Sequence, residues 1–263
     1  MRLPAAKKEL GQHFLVDENI LGVIGRLAEL TPGDVVLEVG PGLGVLTVFL
    51  AAGVERVHAV ELDRSLETLL RERLAGRENV ELHFGDALRL DLAALDPPPS
   101  KLVSNLPYNV ATPLVVESLD GLPSLELWCV MVQREVANRF FAEPSTKAYG
   151  AVSVLVQLAS ERTGFHAVSR TVFRPRPNVD SALVAFRRRA NASTEELARV
   201  KNIVTAAFAH RRKRLANSLE LSGLSTRGEA EAALAEIGRG PKTRAEELAP
   251  PEFVTLAEAL TRE

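Results

Sequence analysis

At 263 residues, 46% hydrophobic and 25% charged, the chain has the composition of a soluble globular protein long enough to bury a sizeable core, and its one cysteine excludes an internal disulfide framework and fits a reducing compartment. No apolar run approaches a membrane span, and the charged stretch Met1–Gly11 has no apolar core, so neither a membrane anchor nor a secretory leader is expected and the protein reads as cytoplasmic. The net charge of −2 hides an asymmetry: Arg162–Arg214 holds 13 Lys+Arg against 3 Asp+Glu, a local balance of +10 that leaves −12 elsewhere and predicts a basic surface for a polyanion.

From Asp34 to about Gln133, strand-like and helix-like segments alternate. Val35–Val39 is a β-branched run ending at Gly40, and Val45–Ala52 has helical spacing. Arg56–Val60 is a second strand ending at Glu61, followed by helical periodicity over Leu66–Leu74. Val80–Phe84 is a third strand, ending at Asp86. The stiff Asp96–Ser100 loop leads into a fourth, Lys101–Ser104, ending at Asn105. Thr112-Pro113 reads as a cap and first turn for a helix over Leu114–Leu119, and Leu127–Val132, with Cys129 as a buried thiol, is a fifth strand. This alternation predicts a parallel, doubly wound α/β sheet with its ligand beyond the carboxyl ends of the strands. Glu38, Glu61, Asp86 and Asn105 fall there in order.

Beyond Arg134 the pattern changes. Ala151–Ala159 is apolar, and Gly164–Val168 and Ala182–Phe186 read as two strands joined by a Pro/Arg-rich loop, an antiparallel addition to the sheet. Asn191–Thr194 reads as a linker, and the Ala/Leu/Glu-rich remainder as a small all-α domain, giving domains over 1–190 and 191–263.

The tetrapeptide Asn105-Leu106-Pro107-Tyr108 combines an amide, a stiffening proline and an aromatic ring. An Asn side chain and a backbone carbonyl both accept hydrogen bonds from an exocyclic amino group, and a tyrosine stacks on a flat base. On these residues alone the segment is either a pocket for a planar nitrogen substrate or a packed turn. Arg211-Arg212-Lys213-Arg214 is either a solvated helix face or a phosphate contact, and Phe173 is either a core aromatic or a base contact in a Pro/Arg-rich loop. The five histidines, His13, His58, His83, His166 and His210, show no metal-ligand spacing, so no metal is expected.

Glu38-Val39-Gly40-Pro41-Gly42-Leu43-Gly44 departs from the dinucleotide pattern G-x-G-x-x-G and resembles the E-x-G-x-G-x-G loop of S-adenosylmethionine-dependent methyltransferases. In that setting Glu61 is placed for both ribose hydroxyls and Asp86 for an adenine amino group. Further motifs make the resemblance specific. They are Gly11-Gln12-His13-Phe14-Leu15, Glu61-Leu62-Asp63, Gly85-Asp86-Ala87, Asn105-Leu106-Pro107-Tyr108-Asn109 and Gln133-Arg134-Glu135-Val136-Ala137. Tyr149–Val154, Phe173-Arg174-Pro175-Arg176-Pro177, Val179–Ala182 and Phe208–Lys213 continue the series.

Together they resemble the ribosomal RNA adenine N6,N6-dimethyltransferase family of the small-subunit type. The resemblance implies a Rossmann-like methyltransferase sheet and S-adenosylmethionine contacted by His13, Leu15, Gly40, Glu61, Asp86 and Asn105. It implies that Asn105 and the Leu106 carbonyl hold the target adenine N6, that Pro107 fixes the turn, and that Tyr108 and Phe173 sandwich the base. It implies a monomer acting on two adjacent adenines in the 3′-terminal hairpin loop of 16S rRNA in the immature small ribosomal subunit, with Arg211, Arg212, Lys213 and Arg214 on RNA. An Erm-type methyltransferase of 23S rRNA and a non-catalytic assembly factor are the alternatives. The Asn-Leu-Pro-Tyr-Asn sequence, the Tyr149-Gly150 segment and an Arg-Arg-Lys helix favour the small-subunit enzyme.

Overall fold

In a computed structural model that describes residue 7 and residues 10–261, the chain divides into two compact units. One comprises the chain through Ala137 together with Arg162–Arg188, and the other Asn138–Glu161 together with Arg189–Glu263. The parts of the expected domains at residues 1–6, 8, 9, 262 and 263 lie outside the described residues.

The first unit is built on a sheet whose central strands follow the apolar runs. These are β2 (Val35–Val39), β3 (Arg56–Glu61), β4 (Val80–Phe84), β5 (Lys101–Asn105) and β6 (Leu127–Gln133); a short strand, β1 (Phe14–Leu15), precedes them. The pairs β2–β3, β3–β4, β2–β5 and β5–β6 are parallel. Every residue of β2 is buried, as a parallel strand covered on both faces requires. Helices α1 (Asn19–Leu27) and α2 (Val45–Ala51) share a core with Val36, Val57, Ala59 and Val103 of the sheet. Helix α3 (Glu67–Arg73) follows β3, and α4 (Ala111–Gly121) follows β5. Because α4 begins at Ala111, Thr112 lies inside the helix rather than capping it, and Pro113 still falls in the first turn, where its missing N–H costs little.

Strand β6 leads into α5 (Arg134–Phe140), and the chain returns through β7 (Ser160–Val168), β8 (Phe173–Arg174) and β9 (Ser181–Arg188). The seven-stranded order is β4-β3-β2-β5-β6-β9-β7, with β9 antiparallel to β6, so the expected antiparallel addition is present. The sequence did not announce the small second sheet, in which β1 pairs antiparallel with β8 and Leu15 faces Phe173. A two-residue strand has no readable periodicity.

The second unit holds α6 (Ala151–Ala159), α7 (Thr194–Ala209), α8 (Leu215–Leu221), α9 (Arg227–Glu236) and α10 (Pro250–Leu260). Helix α6 packs on α7 and α10, so residues 138–161, assigned from sequence to the sheet domain, cluster with the C-terminal helices. Tyr149, fully buried, donates its hydroxyl to the Leu248 carbonyl at 2.7 Å and meets Phe208 edge-on at 6.0 Å. The Tyr149-Gly150 motif is thus part of the core of the helical unit.

Candidate active site

The glycine loop after β2 requires residues without side chains. Gly40, Gly42 and Gly44 have φ of +77°, +56° and +75°, in the left-handed region. A Cβ on Gly40 would stand 3.1 Å from Pro107 Cδ, so the loop and the Asn-Leu-Pro-Tyr turn meet there closely. The Glu61 carboxylate organises the loop from below: Gly42 N–H donates to its Oε2 at 3.0 Å and Asp63 N–H to its Oε1 at 2.8 Å. Burial pushes the Glu61 carboxyl above its ordinary range, partly offset by those backbone donors.

Beside it, Asp63 accepts from Lys7 Nζ at 2.6 Å and from Gln12 Nε2 at 3.0 Å, while Lys7 N–H donates to Gln12 Oε1 at 2.8 Å. Burial opposes its charge, yet Lys7, Ser65 and Gln12 hold the Asp63 carboxyl well below the usual carboxylate range. This network fastens the Gly11–Phe14 segment along the cleft. Glu38, 1% exposed, is the opposite case, because among the described residues its Oε2 has no hydrogen-bond partner. Burial, opposed by the neighbouring Thr47 hydroxyl and reinforced by the Glu61 charge, pushes the Glu38 carboxyl up to about 8.

The turn after β5 is held by its backbone. Leu106 N–H donates to the Met131 carbonyl at 3.1 Å, and Val110 and Ala111 N–H groups both donate to the Pro107 carbonyl at 3.1 Å. Asn105 Nδ2 donates to the His13 carbonyl at 3.2 Å, which leaves Oδ1 as an acceptor. Among the described residues nothing donates to Asn105 Oδ1 or to the Leu106 carbonyl. Tyr108 is half-buried, its hydroxyl 2.7 Å from Ser181 Oγ, and burial pushes its phenol up against the opposing Ser181 hydrogen bond. The His13 ring lies 5.3 Å from the Tyr108 ring at 35°, with Nδ1 2.8 Å from the Pro175 carbonyl.

His13, Leu15, Gly40, Glu61, Asp86, Asn105, Leu106, Pro107 and Tyr108, drawn from separate strand ends and the N-terminal segment, line a single cleft. The parallel register explains this convergence: Val39 pairs with Val60, Glu61 with Phe84 and Asn105 with Met131, so the strands end level. Asp86 Oδ1 accepts from Leu88 N–H at 3.0 Å, and Oδ2 stands 3.5 Å from Arg89 Nε. Sequence reasoning missed Leu62 and Leu88, two exposed apolar side chains on the cleft wall. Each follows a strand-end acid, the signal that could have found them. It also missed Glu38 as a buried carboxyl with one unpaired oxygen among the described residues.

A family model described as ribosomal RNA adenine dimethylase matches residues 4–262. The chain belongs to the ribosomal RNA adenine dimethylase family. Its relatives include the ribosomal RNA small subunit methyltransferase A of Rubrobacter xylanophilus, 51% identical across 97% of this chain and 95% of that one. The protein of the same name from Lactiplantibacillus plantarum is 44% identical across 97% and 90%. Among solved structures, a dimethyladenosine transferase from Plasmodium falciparum superposes with a TM-score of 0.77 at 22% identity, covering 93% of this chain and 96% of that one. The 23S rRNA methyltransferase ErmE superposes at 0.65 with 31% identity, covering 95% and 100%.

Two groups of residues named from the sequence stand apart from the cleft. Phe173 is 2% exposed and packs in the core with Leu15, Val168 and Leu183; the ring beside Tyr108 is His13. Arg211–Arg214 form no helix: they occupy the turn between α7 and α8. Arg211 is a strut there, donating from Nη2 to the Tyr149 carbonyl at 2.7 Å and the Lys147 carbonyl at 3.3 Å. Arg212, Lys213 and Arg214 are exposed, and among the described residues their side chains have no hydrogen-bond or ion-pair partner. The histidines, unremarkable in sequence spacing, do include a pair: His58 Nδ1 and His83 Nε2 lie 3.2 Å apart across β3 and β4.

Proposed function

We propose that the chain dimethylates N6 of two adjacent adenines in the 3′-terminal hairpin loop of 16S rRNA, acting as a monomer on immature small subunits in the cytoplasm. The observation that carries the chemistry is the pair of partnerless acceptors, Asn105 Oδ1 and the Leu106 carbonyl, at the end of β5 beside the Tyr108 ring. An adenine amino group offers two N–H donors, and two fixed acceptors match them. The small-subunit methyltransferases named above, similar over nearly the whole chain, support the target assignment.

The cleft suits S-adenosylmethionine. Glu38 presents an orphaned carboxyl oxygen to an amino acid's ammonium group, and the left-handed glycines let the backbone approach the ligand. Glu61 keeps lone pairs beyond those given to Gly42 and Asp63 for a ribose diol, and Leu62 and Leu88 offer an apolar slot for the adenine of the cofactor, with Asp86 at its edge. When bound, the cofactor supplies an electrophilic methyl on a sulfonium.

The chain's own residues prepare the nucleophile. The N6 lone pair of adenine is delocalised into the ring. Hydrogen bonds from both N6–H groups to Asn105 Oδ1 and the Leu106 carbonyl draw the amine out of conjugation. Pro107, packed on Gly40, fixes the direction of that carbonyl relative to the glycine loop. Tyr108 stacks on the base, its ring oriented by Ser181. Phe173 completes the sandwich only after leaving its buried position. Arg212, Lys213 and Arg214 contact RNA phosphates, while Arg211 supports their turn.

Labelled S-adenosylmethionine with small subunits from a strain lacking the modification tests this directly. Transfer to two adjacent adenines of 16S rRNA is expected. Transfer confined to naked 23S rRNA would favour the Erm-type reading, and RNA binding without transfer would favour an assembly factor.

A further inference from the structure

We propose that His58, Glu81 and His83 form a binding site for a divalent metal ion of the zinc class at the β3–β4 edge of the sheet. Strand β4 is the edge strand, and its parallel register with β3 sets Glu81 beside His58 and His83 beside Val60. Residues two apart on a strand share a face, so the three side chains converge although 25 residues separate the histidines.

The donor geometry fits a tetrahedral ion. His58 Nδ1 and His83 Nε2 are 3.2 Å apart. Two nitrogens each bound at 2.0–2.1 Å to tetrahedral zinc stand about 3.3 Å apart. Glu81 brings Oε2 to 3.5 Å from His58 Nδ1 and Oε1 to 3.8 Å from His83 Nε2, and its half-exposed side chain is free to close the remaining gap. Three protein ligands leave the fourth position to water, which reaches the site past Glu81 and the partly exposed His83.

The surroundings prepare one ligand in advance. His58 is fully buried, and its Nε2 lies 2.9 Å from the Pro97 carbonyl. A carbonyl only accepts, so Nε2 carries the proton and the Nδ1 lone pair points toward His83. A metal-bound imidazole held by a backbone carbonyl has this arrangement. Without an ion, His83 Nε2–H donates to His58 Nδ1. Binding requires the proton on His83 Nε2 to move to Nδ1 of the same ring, which frees the Nε2 lone pair for the ion. An ion here ties the edge strand to β3 just before Gly85 and Asp86, which line the cleft.

Protein stripped with a chelator and titrated with Co²⁺ and Zn²⁺ tests the site. One equivalent of Co²⁺ with the visible bands of tetrahedral coordination, displaced by Zn²⁺, is expected, together with a rise in thermal midpoint. His83→Ala and Glu81→Gln alter partly exposed side chains and should keep the far-UV spectrum. His83→Ala should weaken binding by about tenfold or more, since even the loss of an outer-shell partner costs that much. Absence of one saturable equivalent, or binding by His83→Ala equal to that of the parent, would overturn the proposal.

Discussion

Glu38→Gln isolates the buried carboxyl of the cleft. An acid whose pKa is near 4.5 in the unfolded chain and about 8 in the folded protein stays protonated on folding between those values. In that window the folded state binds one proton more than the unfolded state, so stability falls as pH rises. At 1.36 kcal/mol per pH unit the fall from pH 4.5 to pH 8 amounts to about 5 kcal/mol. The amide of the variant does not titrate. The difference in unfolding free energy between the variant and the parent should therefore shift by about 5 kcal/mol across this range, in favour of the variant at high pH. Titrating groups that do not interact with Glu38, and the pH-independent cost of the amide, cancel in that double difference. Urea unfolding of both ligand-free proteins at half-unit steps measures it. Parallel pH profiles, separated by a constant offset, would refute the assignment of Glu38 as a buried neutral acid.

Gly40→Ala forces a left-handed backbone on a residue with a Cβ and pushes it to 3.1 Å from Pro107, a combined cost of about 2–5 kcal/mol. Denaturant titration should show that loss, with a larger fall in transfer than in RNA binding because Pro107 aims the Leu106 carbonyl. Alanine at Arg212, Lys213 and Arg214 together should flatten the salt dependence of RNA binding by about 0.7–0.9 in log–log slope for each phosphate no longer neutralised. Arg211→Ala should instead lower the stability of the helical unit by about 1.5–3 kcal/mol, read as a reduced unfolding midpoint, since it bonds the Tyr149 carbonyl. Asp63→Asn should cost most near neutral pH. The paired Asp63 carboxylate stabilises above its unfolded pKa of about 3.8 and loses that contribution as pH falls, so variant and parent should converge in acid.

The central sheet was legible because β2, β3, β5 and β6 are buried along almost their whole length and read as largely apolar runs that end on polar residues. The cleft was legible for the same reason: in a parallel sheet, successive strand ends are spatial neighbours, so Glu38, Glu61, Asp86 and Asn105 could be grouped in order. Features set by pairing across long sequence separations were not legible. The β1–β8 ribbon buries Phe173 against the core and leaves His13 beside Tyr108. The register of β3 and β4 joins two histidines that sequence spacing keeps apart. Arg211 looked like one more member of a basic run, because nothing local reveals that it bonds carbonyls more than sixty residues earlier. The clustering of residues 138–161 with the C-terminal helices was not legible for a related reason: the apolar segment that forms α6 reads the same whether it covers a sheet or packs on other helices.

The account rests on Asn105 Oδ1 and the Leu106 carbonyl holding the target amine. Methyl transfer from labelled S-adenosylmethionine to unmodified small subunits, compared between the parent and Asn105→Ala with RNA affinity measured alongside, tests it most directly. Transfer should fall to background while RNA affinity stays within about twofold, and turnover near the parent's rate in the variant would contradict the account.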